Sequence, residues 1–159
     1  HIVSRRQRQM CIRDRTNSRA TPAVMNKANE LGGRVRIAHG VFEAASLSAG
    51  EVIEMFILPD GARLLEGSLA HDAMGSGTTL SVGFAAHTNA AGTAVSASAA
   101  AYKAAAAATS AQKVDILATL ALGSGTETDT NADGVAITAT LAGGAGTGTV
   151  EVTIKYSVD

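Results

Sequence analysis

The sequence has few of the residues on which disulfide bonding, metal binding and catalysis usually depend. Its 159 residues include one cysteine, no tryptophan, two tyrosines and three phenylalanines. A single cysteine excludes an intramolecular disulfide and a thiolate zinc cluster. So few aromatic side chains argue against a base-stacking platform or a large aromatic ligand pocket. No run of about 18 strongly apolar residues occurs, so the sequence predicts no membrane-spanning helix and no membrane partner.

The only cysteine lies in an N-terminal segment that we interpret as foreign to the protein. Residues 5–14 match, codon for codon in one reading frame, a translated transposase-type sequencing adapter. Such an artefact is typical of a chain assembled from metagenomic reads, and it carries no information about the fold. We expect residues 1–24 to be an adapter-derived, disordered tail. Residues 25–159, beginning at Met25, are then long enough for one domain with one core.

Removing the adapter-like segment changes the charge of the chain. The full sequence has 13 basic and 14 acidic residues. Residues 1–15 contain five of the arginines and one aspartate, so eight basic and 13 acidic residues remain, with a formal net charge of −5. Nucleic-acid binding requires clustered lysine and arginine side chains. The acidic balance therefore predicts no nucleic-acid partner.

Most of the sequence after Gly33 is typical of short β-strands separated by turns. Apolar and polar residues alternate over 34–38, 79–84, 135–141 and 150–158, which indicates half-buried strands. Further strands are predicted over 41–43, 51–58, 62–71 and 114–120, with a bend at Gly40 and a bulge or close backbone approach at Gly67. Pro59-Asp60-Gly61 predicts a turn. The pattern predicts a mainly β protein, a single antiparallel β-sandwich or jelly-roll-like domain.

One segment departs from this β pattern. Residues 94–108 consist mostly of alanine, the residue with the highest helix propensity. We therefore predict one short alanine-rich helix over about residues 97–107. Its lack of large apolar side chains predicts a small contribution to the core.

A cluster of oxygen-bearing side chains suggests a metal site. Asp129, Asn131 and Asp133, followed by Gly134, match the first half of a calcium-binding loop. The acidic residue required at position twelve is replaced by Thr140. An Asx-rich turn explains the same residues through backbone preferences. Asp129, Asn131 and Asp133 are therefore candidate calcium ligands, with a hairpin turn as the alternative.

No catalytic constellation can be assembled from the sequence. His39, His71 and His87 lie in three separate segments. The adjacent His71 and Asp72 would need a serine brought close by the fold, and no G-x-S-x-G motif is present. The glycine-rich runs at 75–77 and 143–148 lack the lysine of a phosphate-binding loop. The sequence predicts no enzymatic activity and no cofactor.

Several segments, taken in order, resemble one family of proteins. They are the strand that ends at Gly40, Ala49–Ile53, Leu58–Leu65, Thr78–Gly83, and the closing strand that ends in Tyr156–Asp159. This order is similar to that of small virion structural proteins of tailed bacteriophages. The resemblance extends from Gly32 to the end of the chain, and its motifs are structural rather than catalytic.

The resemblance implies a location in the virion and a structural role. It implies a capsid decoration or head-associated subunit that contacts the phage capsid or other virion proteins and self-associates. A tail or fibre domain that binds host surface glycans is the alternative. The scarcity of aromatic residues counts against the glycan-binding alternative.

Overall fold

The computed structural model describes residues 34–118 and 127–158. The predicted tail over residues 1–24 and the predicted start at Met25 lie outside these ranges. The described residues form ten strands: β1 Val35–Leu47, β2 Val52–Leu58, β3 Ala62–His71, β4 Thr79–Phe84, β5 His87–Thr88, β6 Ala94–Val95, β7 Ser98–Ala107, β8 Gln112–Asp115, β9 Val135–Ala142 and β10 Gly146–Val158.

The strands pair as one long antiparallel ribbon folded back on itself. Strands β1, β2, β3 and β4 pair with β10, β9, β8 and β7 respectively, so the first half of the chain pairs with the second half. The short β5–β6 hairpin lies at the tip of this ribbon, between β4 and β7. Antiparallel pairing of this kind requires no crossover helix, because each strand runs opposite to its partner.

Two further strand pairs close the ribbon into two sheets. Strand β10 also pairs with β3, and β9 also pairs with β4. Sheet A therefore has the order β1-β10-β3-β8, and sheet B has the order β2-β9-β4-β7. Two packed antiparallel sheets of this kind form a β-sandwich. The predicted mainly β, antiparallel sandwich is confirmed.

The core lies between the inner faces of the two sheets. Strand β10 contributes Val150, Val152 and Ile154, which are completely buried. Strand β9 faces them with Ile137, Ala139 and Leu141, which are also completely buried. The period-two alternation of the sequence therefore corresponds to alternate inward and outward side chains.

The predicted helix is wrong, because residues 98–107 form strand β7 on the edge of sheet B. Strand β7 pairs with β4 and contributes Tyr102 to the core. Alanine favours an isolated helix, but the gain from completing sheet B and burying Tyr102 outweighs this local preference. The alanine side chains are also small enough for β7 to run close to its neighbour.

Two glycines mark points where backbones approach closely. A Cβ atom on Gly40 would lie 2.6 Å from the carbonyl oxygen of Met55, so glycine lets β1 pass close to β2. Strand β1 does not end there and continues to Leu47. A Cβ atom on Gly67 would lie 2.8 Å from Cγ1 of Ile116. Gly67 is thus a close-approach point, whereas the register shift against β10 falls at Leu65.

The remaining differences from the prediction concern boundaries. Strand β8 covers Gln112–Asp115 rather than residues 114–120, of which 119 and 120 lie outside the described ranges. Strand β10 begins at Gly146, four residues earlier than predicted. The glycine-rich turn before it is correspondingly short.

We expect Gly83→Ala to destabilise the fold. A Cβ atom on Gly83 would overlap the carbonyl oxygen of Ser98 at the start of β7. Relieving that overlap requires β4 and β7 to separate, at a cost of about 1–3 kcal/mol in the free energy of unfolding. In the control Gly144→Ala, the nearest atom is the Ser76 carbonyl oxygen at 3.2 Å, so the loss should be smaller. Urea unfolding measures both, and equal losses would contradict this account of Gly83.

We expect alkaline pH to weaken the folded state through Tyr102. Tyr102 is 4% exposed, and burial raises its pKa from 10.0 to about 12. A raised pKa means that its stabilising contribution is complete below pH 10 and is lost as the pH rises through about 12. The Tyr102→Phe variant should not show this loss of stability at alkaline pH. It should also lack the late rise in tyrosinate absorbance when the protein is titrated with base and followed in the ultraviolet. Tyr156→Phe is the control, and an unchanged late step in Tyr102→Phe would refute the assignment.

Candidate interaction surface

The predicted His71–Asp72 pair lies in an open cleft at one end of sheet A. The cleft has a volume of about 400 Å³ and is lined by these two residues together with Gln112, Thr149 and Glu151, among others. The end of β3 supplies His71, and the start of the following loop supplies Asp72. Strand β10 supplies Thr149 and Glu151, because it pairs with β3 along this edge of the cleft.

The two side chains do not form a catalytic pair. Nδ1 of His71 lies 2.8 Å from the backbone carbonyl oxygen of Asp72, which can only accept a hydrogen bond. The Asp72 carboxylate instead accepts a hydrogen bond of 2.9 Å from the backbone N–H of Thr149. No serine lines the cleft as the structure describes it. The geometry fastens the loop after β3 to β10 and does not assemble a serine triad.

The hydrogen bonds from Thr149 also favour the ionised form of Asp72. The backbone N–H of Thr149, and then its side chain, stabilise the carboxylate and lower the pKa of Asp72 below its ordinary value of 3.8, with a smaller contribution from nearby His71. Asp72 therefore stays ionised, and keeps its contact with β10, at a lower pH than an ordinary aspartate.

The candidate calcium ligands lie in a turn that is held by hydrogen bonds among its own residues. Nδ2 of Asn131 donates to Oδ2 of Asp133 over 2.9 Å, and the N–H of Asp133 donates to Oδ1 of Asn131 over 3.0 Å. Oδ1 of Asp129 accepts from the N–H of Ala90, 3.1 Å away in another loop. These contacts are those of an Asx-type turn. Calcium binding at this loop stays a prediction.

Hydrogen bonds from neighbouring residues connect the same loop to sheet B. The sequence did not indicate this role. Oδ1 of Asp60, in the turn after β2, accepts a hydrogen bond from the N–H of Thr130 over 3.0 Å. His87 has its two ring nitrogens 3.1 Å and 3.2 Å from the carbonyl oxygens of Ala85 and Asp129. Within residues 34–118 and 127–158, no three His, Cys, Asp or Glu side chains are grouped as metal ligands.

The most distinctive surface feature is the set of exposed aliphatic side chains on the edge strands β1 and β2. Strand β1 is an edge of sheet A and β2 is an edge of sheet B, and Gly40 brings them together. Five aliphatic side chains on these strands are each between 57% and 65% exposed: Val35, Ile37 and Val41 on the outer face of sheet A, and Val52 and Ile57 on the outer face of sheet B. Among the described residues, only Phe42 and Leu65 are further large hydrophobic side chains exposed to a comparable degree.

Exposed aliphatic side chains grouped on edge strands are characteristic of interaction surfaces. Isolated exposed hydrophobic residues are common, whereas several on one strand face, as Val35, Ile37 and Val41 are on β1, make that face a candidate for binding another molecule. Edge strands also present backbone groups that can pair with another strand. The sequence alternation predicted strands here but could not show that these particular side chains face solvent.

The described residues contain no helix that is long and apolar enough to cross a membrane. No protein-family model matches the chain, and no curated protein matches it.

The fold is similar to that of chains in two phage capsid structures. A chain of the cyanophage Pam1 capsid asymmetric unit is 21% identical, with a TM-score of 0.57, over 92% of this chain and 99% of its own length. A chain in the capsid of Ralstonia phage GP4 is 21% identical, with a TM-score of 0.60, over 89% of this chain and 92% of its own length. At this identity the similarity establishes a shared fold.

We expect the stabilising effect of Asp72 to disappear in acid. Its pKa is lowered in the folded state, so its contribution is present above the unfolded value of 3.8 and is lost as the pH falls through the folded value. Asp72→Asn should therefore be less stable than the wild type at neutral pH and equally stable in strong acid. Urea unfolding over a pH series measures this difference. A difference in stability that does not change with pH would contradict this prediction. Asp115→Asn is the control, because it removes another carboxylate from sheet A.

Proposed function

We propose that this protein is a non-enzymatic structural subunit of a tailed-phage virion. In this proposal it binds the capsid surface as a decoration or head-associated protein and self-associates there. The observation that carries the proposal is a β-sandwich that aligns with chains from two phage capsids over nearly their whole lengths. The order of structural motifs in the sequence supports the same assignment.

The surface chemistry supports a partner that is a protein. The exposed aliphatic side chains Val35, Ile37 and Val41 on the outer face of β1 are suited to apolar contact with another protein surface. Acidic side chains outnumber basic ones on the described residues, which is unfavourable for binding nucleic-acid phosphates. The His71–Asp72 cleft supports structural anchoring rather than a reaction, because its carboxylate is committed to the backbone of Thr149.

Binding to purified particles tests the proposed function. The full chain is mixed with intact heads, tails and expanded empty capsids of the encoding phage, and the bound fraction is measured after sedimentation. We expect recovery with heads and empty capsids. Recovery with tails alone would replace this assignment with the tail or fibre alternative, and recovery with no particle would refute the virion assignment. The Gly144→Ala variant, which has a fold that we expect to be intact, is a control for sample handling.

A further inference from the structure

We propose that the outer face of sheet A is a self-docking surface, on which the same face of a second copy of this chain stacks across a two-fold axis that crosses the strands. This inference deepens the proposed self-association of the subunit and rests on that part of the proposed function. It identifies the residues in contact and the orientation of the two copies.

The pairing of the four strands determines which side chains share this face. Residues directly opposite each other in antiparallel strands point to the same side of a sheet. Three adjacent rows of side chains therefore cross the outer face in the strand order β1, β10, β3 and β8. The first row contains Val41, Glu151, Ala70 and Lys113, the second contains His39, Thr153, Ser68 and Asp115, and the third contains Ile37, Lys155 and Glu66.

Strand β1 makes one side of this face apolar and accessible. The outward side chains of β1 from Val35 to Glu43 are all exposed, and the aliphatic ones, Val35, Ile37 and Val41, are between 57% and 65% exposed. The other three strands carry most of the charged side chains of the face. A docked copy would therefore meet an apolar strip beside polar groups, which is the usual anatomy of a protein–protein interface.

A two-fold axis across the strands, placed over the row that contains His39 and Thr153, matches this pattern. It stacks each strand on its own counterpart and reverses the order of the rows. Ile37 then faces Val41 of the second copy, so aliphatic side chains meet each other. On β10, Lys155 faces Glu151 of the second copy, so opposite charges meet. The symmetry makes each of these contacts occur twice.

The charged side chains of β10 can make this contact while keeping their neighbours in the same chain. Nζ of Lys155 lies 3.0 Å from Oε2 of Glu66, and Oε1 of Glu151 lies 3.7 Å from Nδ1 of His39. These four side chains are between 43% and 67% exposed. An ammonium group has three donors, so Lys155 can bind a second carboxylate.

A two-fold axis along the strands gives a poorer match. Strand β1 is an edge strand, so such an axis stacks it on β10, β3 or β8 of the second copy. On β10 or β3, Ile37 meets Lys155 or Glu66. On β8, Val41 meets Lys113. An axis along β1 itself avoids these mismatches but leaves the other three strands outside the contact. Complementarity over the whole face therefore favours the axis across the strands.

A second copy is the occupant that this pattern selects, because the face is self-complementary. A two-fold contact uses the same patch on both copies, so the patch must supply both partners of every interaction. Along β10, Lys155 and Glu151 lie equally far on either side of Thr153. Along β1, Ile37 and Val41 lie equally far on either side of the residue that pairs with Thr153. One axis therefore satisfies the apolar and the charged contacts together.

Sedimentation equilibrium of the full chain tests the contact. We expect the wild type to form dimers and Ile37→Lys to raise the dimer dissociation constant by at least about tenfold, because it places a charge against an aliphatic side chain. Ile57→Lys is the matched control, since Ile37 is 65% exposed and Ile57 is 64% exposed, but Ile57 lies on the outer face of sheet B. Its dissociation constant should stay within about threefold of the wild type. Circular dichroism checks that each variant is folded.

Charge reversal tests the orientation. Lys155→Glu should weaken the dimer by at least about tenfold, because it places two carboxylates against each other. Adding Glu151→Lys to the same chain should bring the dissociation constant back to within about threefold of the wild type, because opposite charges face each other again.

Cross-linking gives a second measure of the orientation, with a short bis-maleimide in a Cys11→Ser background. Copies carrying Thr153→Cys should cross-link to each other, because Thr153 lies at the axis. Copies carrying Ser157→Cys should not, because reversal of the rows separates the two Ser157 positions along the strands. An axis along β10 would instead cross-link both variants.

Three results would overturn the inference: a wild type that is monomeric at about 1 mM, a dimer that Ile37→Lys and Ile57→Lys weaken equally, or cross-linking of Ser157→Cys as efficient as that of Thr153→Cys. The dimer is measured without phage particles. A monomer that binds capsids would therefore refute the self-docking surface and leave the capsid assignment standing. A dimer that binds no particle would refute the capsid assignment and leave this contact standing.

Discussion

Strands β9 and β10 follow each other in the chain but belong to different sheets. This change of sheet is the constraint on which the structure depends. Strand β9 is a central strand of sheet B and β10 is a central strand of sheet A. The connection between them is only three residues long, so the two sheets are held face to face where their central strands meet. Gly143 has a φ of +84°, and a Cβ atom there would overlap the carbonyl oxygen of Gly77. The edge strands β1 and β2 then take their positions by pairing with β10 and β9.

The sequence was most informative where large β-branched residues alternate with polar ones. Val150, Val152 and Ile154 are separated by Glu151 and Thr153, so the inward face of β10 could be predicted directly. Alanine carries no comparable signal, because it is neither strongly apolar nor β-branched. The strand formed by residues 98–107 depends on pairing with β4, which is a tertiary contact that local propensity does not contain.

The surface was less predictable than the core for a related reason. His71 and Asp72 are adjacent in sequence, yet their polar atoms bind different backbone groups, and only the fold determines which. Likewise, the alternation of β1 identifies two faces without showing which one is covered. Val35 and Ile37 lie on the face of sheet A that is turned away from the core. Which apolar side chains are exposed therefore depends on the strand order, whereas the β-sandwich class follows from the alternation.

The ribbon also has a consequence for the order in which the fold can form during synthesis. Val35 pairs with Ser157, so the first described strand meets its partner only when the last one has been made. Until then β1 and β3 lack the strand that lies between them, and the backbone groups that pair with β10 stay free. Contacts between residues so distant in sequence are slow to form. A nascent chain of this protein is therefore exposed to premature association through its edge strands until residues 146–158 have left the ribosome.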